Sequence, residues 1–129
     1  MGIGYRRDET RARPKKYRAF LNNIVLANNV IFADTFLLKL VGLLRHRKLQ
    51  NGEGLLLNHC KQVHTFGMKF NIDVIFLSNL GEVIYIENNM RPGRMSKYIR
   101  KAFAVLELKA GTAMENNISQ NDQMKLEIQ

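Results

Sequence analysis

Short apolar runs recur along this chain with turn residues between them, and only one stretch has sustained helical periodicity. Residues 24–27, 30–33, 54–57, 72–77, 83–86, 103–108 and 124–128 are each too brief for a buried helix and rich in side chains that suit a pleated surface. Asn28 and Asn29 separate the first two runs, and Asn tolerates the positive φ of a two-residue turn, which predicts an opening hairpin. Ser78-Asn79-Leu80-Gly81 predicts a second hairpin between 72–77 and 83–86, and 112–117 reads as one helical turn. Phe36, Leu37, Leu40, Val41 and Leu44 fall on one helical stripe, with Asp34 or Thr35 able to cap it and Arg45, Arg47 and Lys48 in its last turn. The strand–helix alternation of a parallel α/β sheet is missing. The expected fold is therefore α+β and mainly β: a compact antiparallel barrel-like sheet with one substantial helix packed on it, forming a single β-rich domain over residues 19–129.

At 129 residues the chain has room for one core. A single Cys excludes a disulfide-stapled scaffold and a four-cysteine zinc framework. The stretch 20–32 is interrupted by four Asn and nothing approaches the ~20 apolar residues of a membrane span, so a soluble, cytoplasmic protein is expected. The net charge is +9, and its excess is concentrated. Arg6, Arg7, Arg11, Arg13, Lys15, Lys16 and Arg18 face only Asp8 and Glu9 in residues 1–18, which read as a basic N-terminal arm whose removal leaves the fold intact. Such an arm offers salt-sensitive attraction to polyanions such as nucleic acid, but the composition shows no aromatic–basic interleaving of the kind that reads single strands.

The densest mixture of reactive side chains spans 58–73, where a wider resemblance also emerges. Asp34-Thr-Phe, Gly42-Leu-Leu-Arg45, Gly52-Glu-Gly-Leu55, Cys60, Val63-His-Thr-Phe-Gly-Met68, Ile72-Asp-Val-Ile-Phe76 and Val105-Leu-Glu-Leu108 with Gly111 occur in a characteristic order. In these motifs the chain resembles a prokaryotic family of small uncharacterised proteins, the domain of unknown function number one hundred and ninety-two, over roughly residues 22–128. The resemblance implies a small β-rich single domain with no established activity, cofactor or substrate. Asn71 stands where the family usually has Pro, which removes a φ constraint before Ile72.

Several chemistries compete for this segment. Cys60 and His64 have the residue types of a thiolate–imidazole pair with Asp73 as orienting carboxylate. His59, Cys60 and His64, with His46 or Asp73, are acceptable metal ligands, but no second Cys-x-x-Cys or His-x-x-x-His accompanies them, so no metal or cofactor is expected. In a strand Asp73 shares its face with Ile75 and Leu77, and a buried carboxylate must be satisfied. The backbone amides of the Thr65 to Gly67 turn would do so, as would a ligand or an arginine from the Arg91/Arg94 loop. The leading expectation is a non-enzymatic β-domain that binds a small molecule or a protein through Cys60, His64, Thr65, Met68, Asp73, Arg91 and Arg94. An enzyme built on Cys60, His64 and Asp73 is the alternative.

Overall fold

The chain's structure, a computed structural model, describes residues 15–33 and 48–129. These form β1 (Lys16–Leu21), β2 (Ile24–Ala33), β3 (Glu53–Asn58), β4 (Ile72–Leu77), β5 (Val83–Met90), β6 (Ala104–Lys109), a short helix α1 (Thr112–Glu115) and β7 (Met124–Ile128). The strands make one sheet in the order β5-β4-β6-β3-β2-β1-β7. Neighbours are antiparallel except β2 and β3, which are parallel.

The sheet curls until its two edge strands meet at one end. Glu82 bridges to Gln123, the Val83 N–H donates to the Asp122 carbonyl at 2.8 Å, and the Met124 N–H donates to the Gly81 carbonyl at 2.9 Å. The result is a half-barrel with a core on each face, because successive strand residues point to opposite sides. One cluster gathers residues from all seven strands, including Leu26, Val30, Ile75, Leu106 and Met124. The other sets Leu55, Val74, Phe76 and Val105 under the loops that carry Val63, Met68 and Ala102. Every residue of β4 is buried, which is why 72–77 reads as an apolar run broken by Asp73 alone rather than as an alternation.

The strands expected at 54–57, 72–77, 83–86, 103–108 and 124–128 are present, as are the second hairpin and the helical turn. The opening hairpin is displaced. Asn22 and Asn23, with φ of 51° and 67°, form its two-residue turn, while Asn28 and Asn29 lie inside β2. Tyr17 pairs with Val30 and Ala19 with Ala27, so an extra residue of β2 is absorbed as a bulge there, and a second bulge follows before Phe20 pairs with Val25. The arm is also shorter than expected. Lys16, Tyr17 and Arg18 belong to β1, which pairs with β2 and β7, and the Tyr17 ring packs 5.8 Å from that of Phe32. Cutting the chain after Arg18 would remove half of β1, so that truncation is expected to disturb the sheet rather than leave the fold intact. The helix expected on the Phe36 to Leu44 stripe lies outside the described residues, as do residues 1–14 of the arm. Among the described residues α1 is the one helix, and none is long and apolar enough to cross a membrane.

Candidate functional site

Asp73 is 1% exposed and its carboxylate accepts three backbone N–H bonds. Asn89 donates to Oδ1 at 2.8 Å, and Gly111 and Ala113 donate to Oδ2 at 3.0 and 2.8 Å. Local geometry explains both sets. Opposite Asp73 the β4–β5 register slips, with Ile72 pairing Met90 and Val74 pairing Glu87, so Asn89 sits in a bulge at φ 54°. The N-cap of α1 is Gly111, which has no side chain to hold the first amides of the helix. Asp73 supplies that cap from a neighbouring strand. Backbone amides do satisfy the carboxylate, but they are those of Asn89, Gly111 and Ala113 and not the expected ones of the Thr65 to Gly67 turn.

Thr65, fully buried, organises a different junction. Its hydroxyl donates to the Arg91 carbonyl at 2.6 Å and accepts from the Arg94 N–H at 2.9 Å. Arg91-Pro92-Gly93-Arg94 has the sequence and the positive φ at Gly93, 74°, of a type II turn. The hydroxyl bridges the two ends that such a turn would otherwise join directly. The Thr65 backbone also bonds the loop, its N–H donating to Arg94 O at 2.8 Å and its carbonyl accepting from Gly93 at 2.9 Å. Thr65→Val keeps the shape and strands a carbonyl and an amide, so it should cost about 1–3 kcal/mol in chemical denaturation. Thr65→Ser, which keeps the hydroxyl, should cost less, and equal losses would show that the methyl rather than the hydroxyl matters.

The remaining expected site residues do not converge on Asp73. His64 is exposed, pairs through its backbone with Met95, and stacks on Phe66 with centroids 4.9 Å apart, its Nδ1 accepting from the Phe66 N–H at 3.3 Å. Cys60 is half-buried, with Sγ donating to the Gln62 carbonyl at 3.2 Å. Met68 is in the second core cluster, whereas Asp73 bonds Ala113, which belongs to the first. The structure thus joins Thr65 to Arg91 and Arg94 and places Asp73 at a separate junction. Among the described residues no three His, Cys, Asp or Glu gather as a metal site. His46 is outside the described residues.

Two grooves of about 320 Å³ each flank Asn89. One is lined by Glu87, Asn89, Met90, Arg91, Arg94 and Met95. The other is lined by Lys48, Leu49, Phe70, Asn71, Asn89, Lys109 and Ala110. Asn71, which stands in place of Pro, ties its loop to β5, its side-chain amide donating to Asn89 Oδ1 at 3.0 Å. Glu107 was not singled out in the sequence, yet it is 1% exposed on β6 between Leu55 and Val74. Strand alternation marks it as it marked Asp73, since residues 105, 107 and 109 share a face.

Fold and site together define a half-barrel β-domain in which Thr65, Arg91 and Arg94 are carried on loops laid over one face of the sheet and Asp73 is buried on β4. The chain belongs to the DUF192 family, described as Uncharacterized ACR, whose model matches residues 20–126. The family has no established function. Two solved structures share the fold. One, from Sinorhizobium meliloti 1021 and provisionally described as a transcription regulator, is 20% identical with a TM-score of 0.69, covering 89% of this chain and 95% of its own. The second, a protein of unknown function from Novosphingobium aromaticivorans DSM 12444, is 19% identical with a TM-score of 0.70, covering 85% of this chain and 83% of its own. A search of curated proteins finds no match.

Proposed function

We propose that the chain is a binding module whose recognition surface is the loop from Cys60 to Phe70 together with Arg91 and Arg94, and that its ligand is anionic. The observation that carries this reading is the Thr65 bridge. A buried hydroxyl fixes the backbone at both ends of the Arg-Pro-Gly-Arg turn, so two exposed guanidinium groups leave a rigid base beside a groove. Arginine pairs are suited to carboxylate and phosphate oxygens, and fixing the base lowers the entropy lost on binding. The enzymatic alternative is weaker because all three bonds to Asp73 come from backbone amides, at Asn89, Gly111 and Ala113, rather than from an imidazole it would orient. The transcription-regulator description of one structural neighbour belongs to that protein, and at 20% identity it contributes only the fold.

Amide NMR titration with inorganic pyrophosphate tests the reading. Shifts should concentrate at Thr65 and residues 91–95, weaken with salt, and vanish in an Arg91→Gln/Arg94→Gln variant. Shifts elsewhere, or none at millimolar ligand, would overturn it. The helix expected on the Phe36 to Leu44 stripe belongs to the same reading of the domain. Leu40→Ala should then destabilise the protein while Lys39→Ala is nearly silent, and equal losses would remove the helix.

A further inference from the structure

We propose that the face built by residues 58–70 and 91–103 binds single-stranded nucleic acid, an inference that rests on the anion-binding reading and names its ligand class. The two segments run antiparallel across the sheet. Cys60 N–H donates to the Phe103 carbonyl, Ile99 N–H to Lys61, Ser96 N–H to Val63 and Thr65 N–H to Arg94. Lys61 reinforces the pairing, its Nζ donating to the carbonyls of Arg100 at 2.7 Å and Ala102 at 2.8 Å. Lys61 and Lys69 from the first segment and Arg91, Arg94, Lys97, Arg100 and Lys101 from the second are all exposed. Neither segment contains an Asp or Glu. Glu87, on β5, is the acid that lines the groove beside Arg91.

Exposed rings stand among these charges. Phe66 is 55% and Tyr98 62% exposed, Phe103 is exposed with His59 edge-on to it at 4.8 Å, and His64 lies stacked on Phe66. Solvated apolar rings set within a dense field of cations match what an unpaired strand presents, phosphates along its backbone and flat base faces beside them. A duplex offers the phosphates but hides the base faces, so the rings would add nothing there. The interleaving of aromatic and basic side chains that the sequence was expected to lack is therefore present on the surface, divided between two loops separated by β4 and β5.

Fluorescence anisotropy on the full-length chain tests this with a labelled oligothymidylate, a duplex of equal length and inorganic polyphosphate. Oligothymidylate should bind in preference to the duplex, with log affinity falling against log salt by about 0.7 per phosphate contacted. Phe66→Ala and Tyr98→Ala should each weaken oligothymidylate by at least about fivefold, and Tyr98→Ala, outside the anion-binding loop and 62% exposed, should leave polyphosphate binding and the melting temperature unchanged. Arg91→Gln/Arg94→Gln should weaken both ligands. Replacing Arg6, Arg7, Arg11 and Arg13 by Gln should preserve the ring dependence. Polyphosphate binding as tight as oligothymidylate, with ring variants indifferent, would overturn the nucleic-acid proposal while leaving the anion reading standing. Preference for duplex, or binding that follows the arm and ignores the rings, would also overturn it. Failure of all three probes together with pyrophosphate would sink both.

Discussion

Asp73→Ala is expected to lower the unfolding free energy by about 3–5 kcal/mol, a large share of the ~5–15 kcal/mol that holds an ordinary domain together. Three amides lose their acceptor at once, and the acceptor was a charge. Hydrogen bonds to charged groups are worth about 1.5–3 kcal/mol each, and the stranded donors cannot all reach water without movement. Asp73→Asn is the more informative change. It preserves volume but turns one acceptor into an NH2 group, which must face either the Asn89 amide or the Gly111 and Ala113 pair, donor against donor. The expected loss is about 2–4 kcal/mol, a fall in melting temperature on the order of 10 °C. Amide exchange should accelerate at Asn89, Gly111 and Ala113 together, though these lie on two separate elements. An unchanged or higher melting temperature for Asp73→Asn would mean that the carboxylate is held at a cost to stability for a ligand. For contrast, the exposed Lys125–Glu127 pair, at 2.8 Å, should be removable with little effect.

This junction also bears on binding. Asn89 lines both grooves, and its position follows from the bulge that Asp73 holds through the Asn89 amide. Loosening that bond should therefore blur the shape of the Arg91/Arg94 groove while leaving the Thr65 bridge in place.

Local chemistry was legible in the sequence wherever one short segment carried the whole signal. The run 72–77 announced a strand because both its faces are buried, and Ser78 to Gly81 announced its turn. The burial of Asp73 followed from alternation alone, but its partners lie 16, 38 and 40 residues downstream, and no local pattern points to them. β1 was concealed by charge: Lys16 and Arg18 face outward, and the half-buried Tyr17 with buried Ala19 and Leu21 forms an alternation masked by the basic residues before it. The hairpin was misplaced because Asn22-Asn23 and Asn28-Asn29 carry the same turn signal. Only the pairing of β1 with β2 selects between them, and that pairing tolerates Asn28 and Asn29 as a bulge. The basic–aromatic face has no local signature for a related reason, since each loop holds part of it and antiparallel pairing unites them.

The edge strands of the half-barrel approach most tightly at Gly81, and Gly81→Ala is expected to cost about 2–4 kcal/mol. Gly81 has φ +86°, and a Cβ there would stand 2.6 Å from the Met124 carbonyl oxygen and 3.0 Å from the Gln123 side-chain nitrogen. Left-handed backbone alone costs a non-glycine residue roughly 1–2 kcal/mol. The collision adds to this, because the nearest atom is backbone and belongs to the opposite edge strand, so relief requires β5 and β7 to separate. Gly93→Ala isolates the first contribution: φ there is +74°, but nothing lies within 4 Å of the added carbon. The difference between the two variants thus measures the contact across the seam. In Gly81→Ala, exchange should quicken at the Val83, Asn121 and Met124 amides, whose bonds to Asp122, Val83 and Gly81 join the edges. The Thr65 and Arg94 amides, on the loops over the other core, should keep their protection, so pyrophosphate should still shift residues 91–95. Equal destabilisation by Gly81→Ala and Gly93→Ala would show that the edges are not pressed together and that the sheet is open along its length.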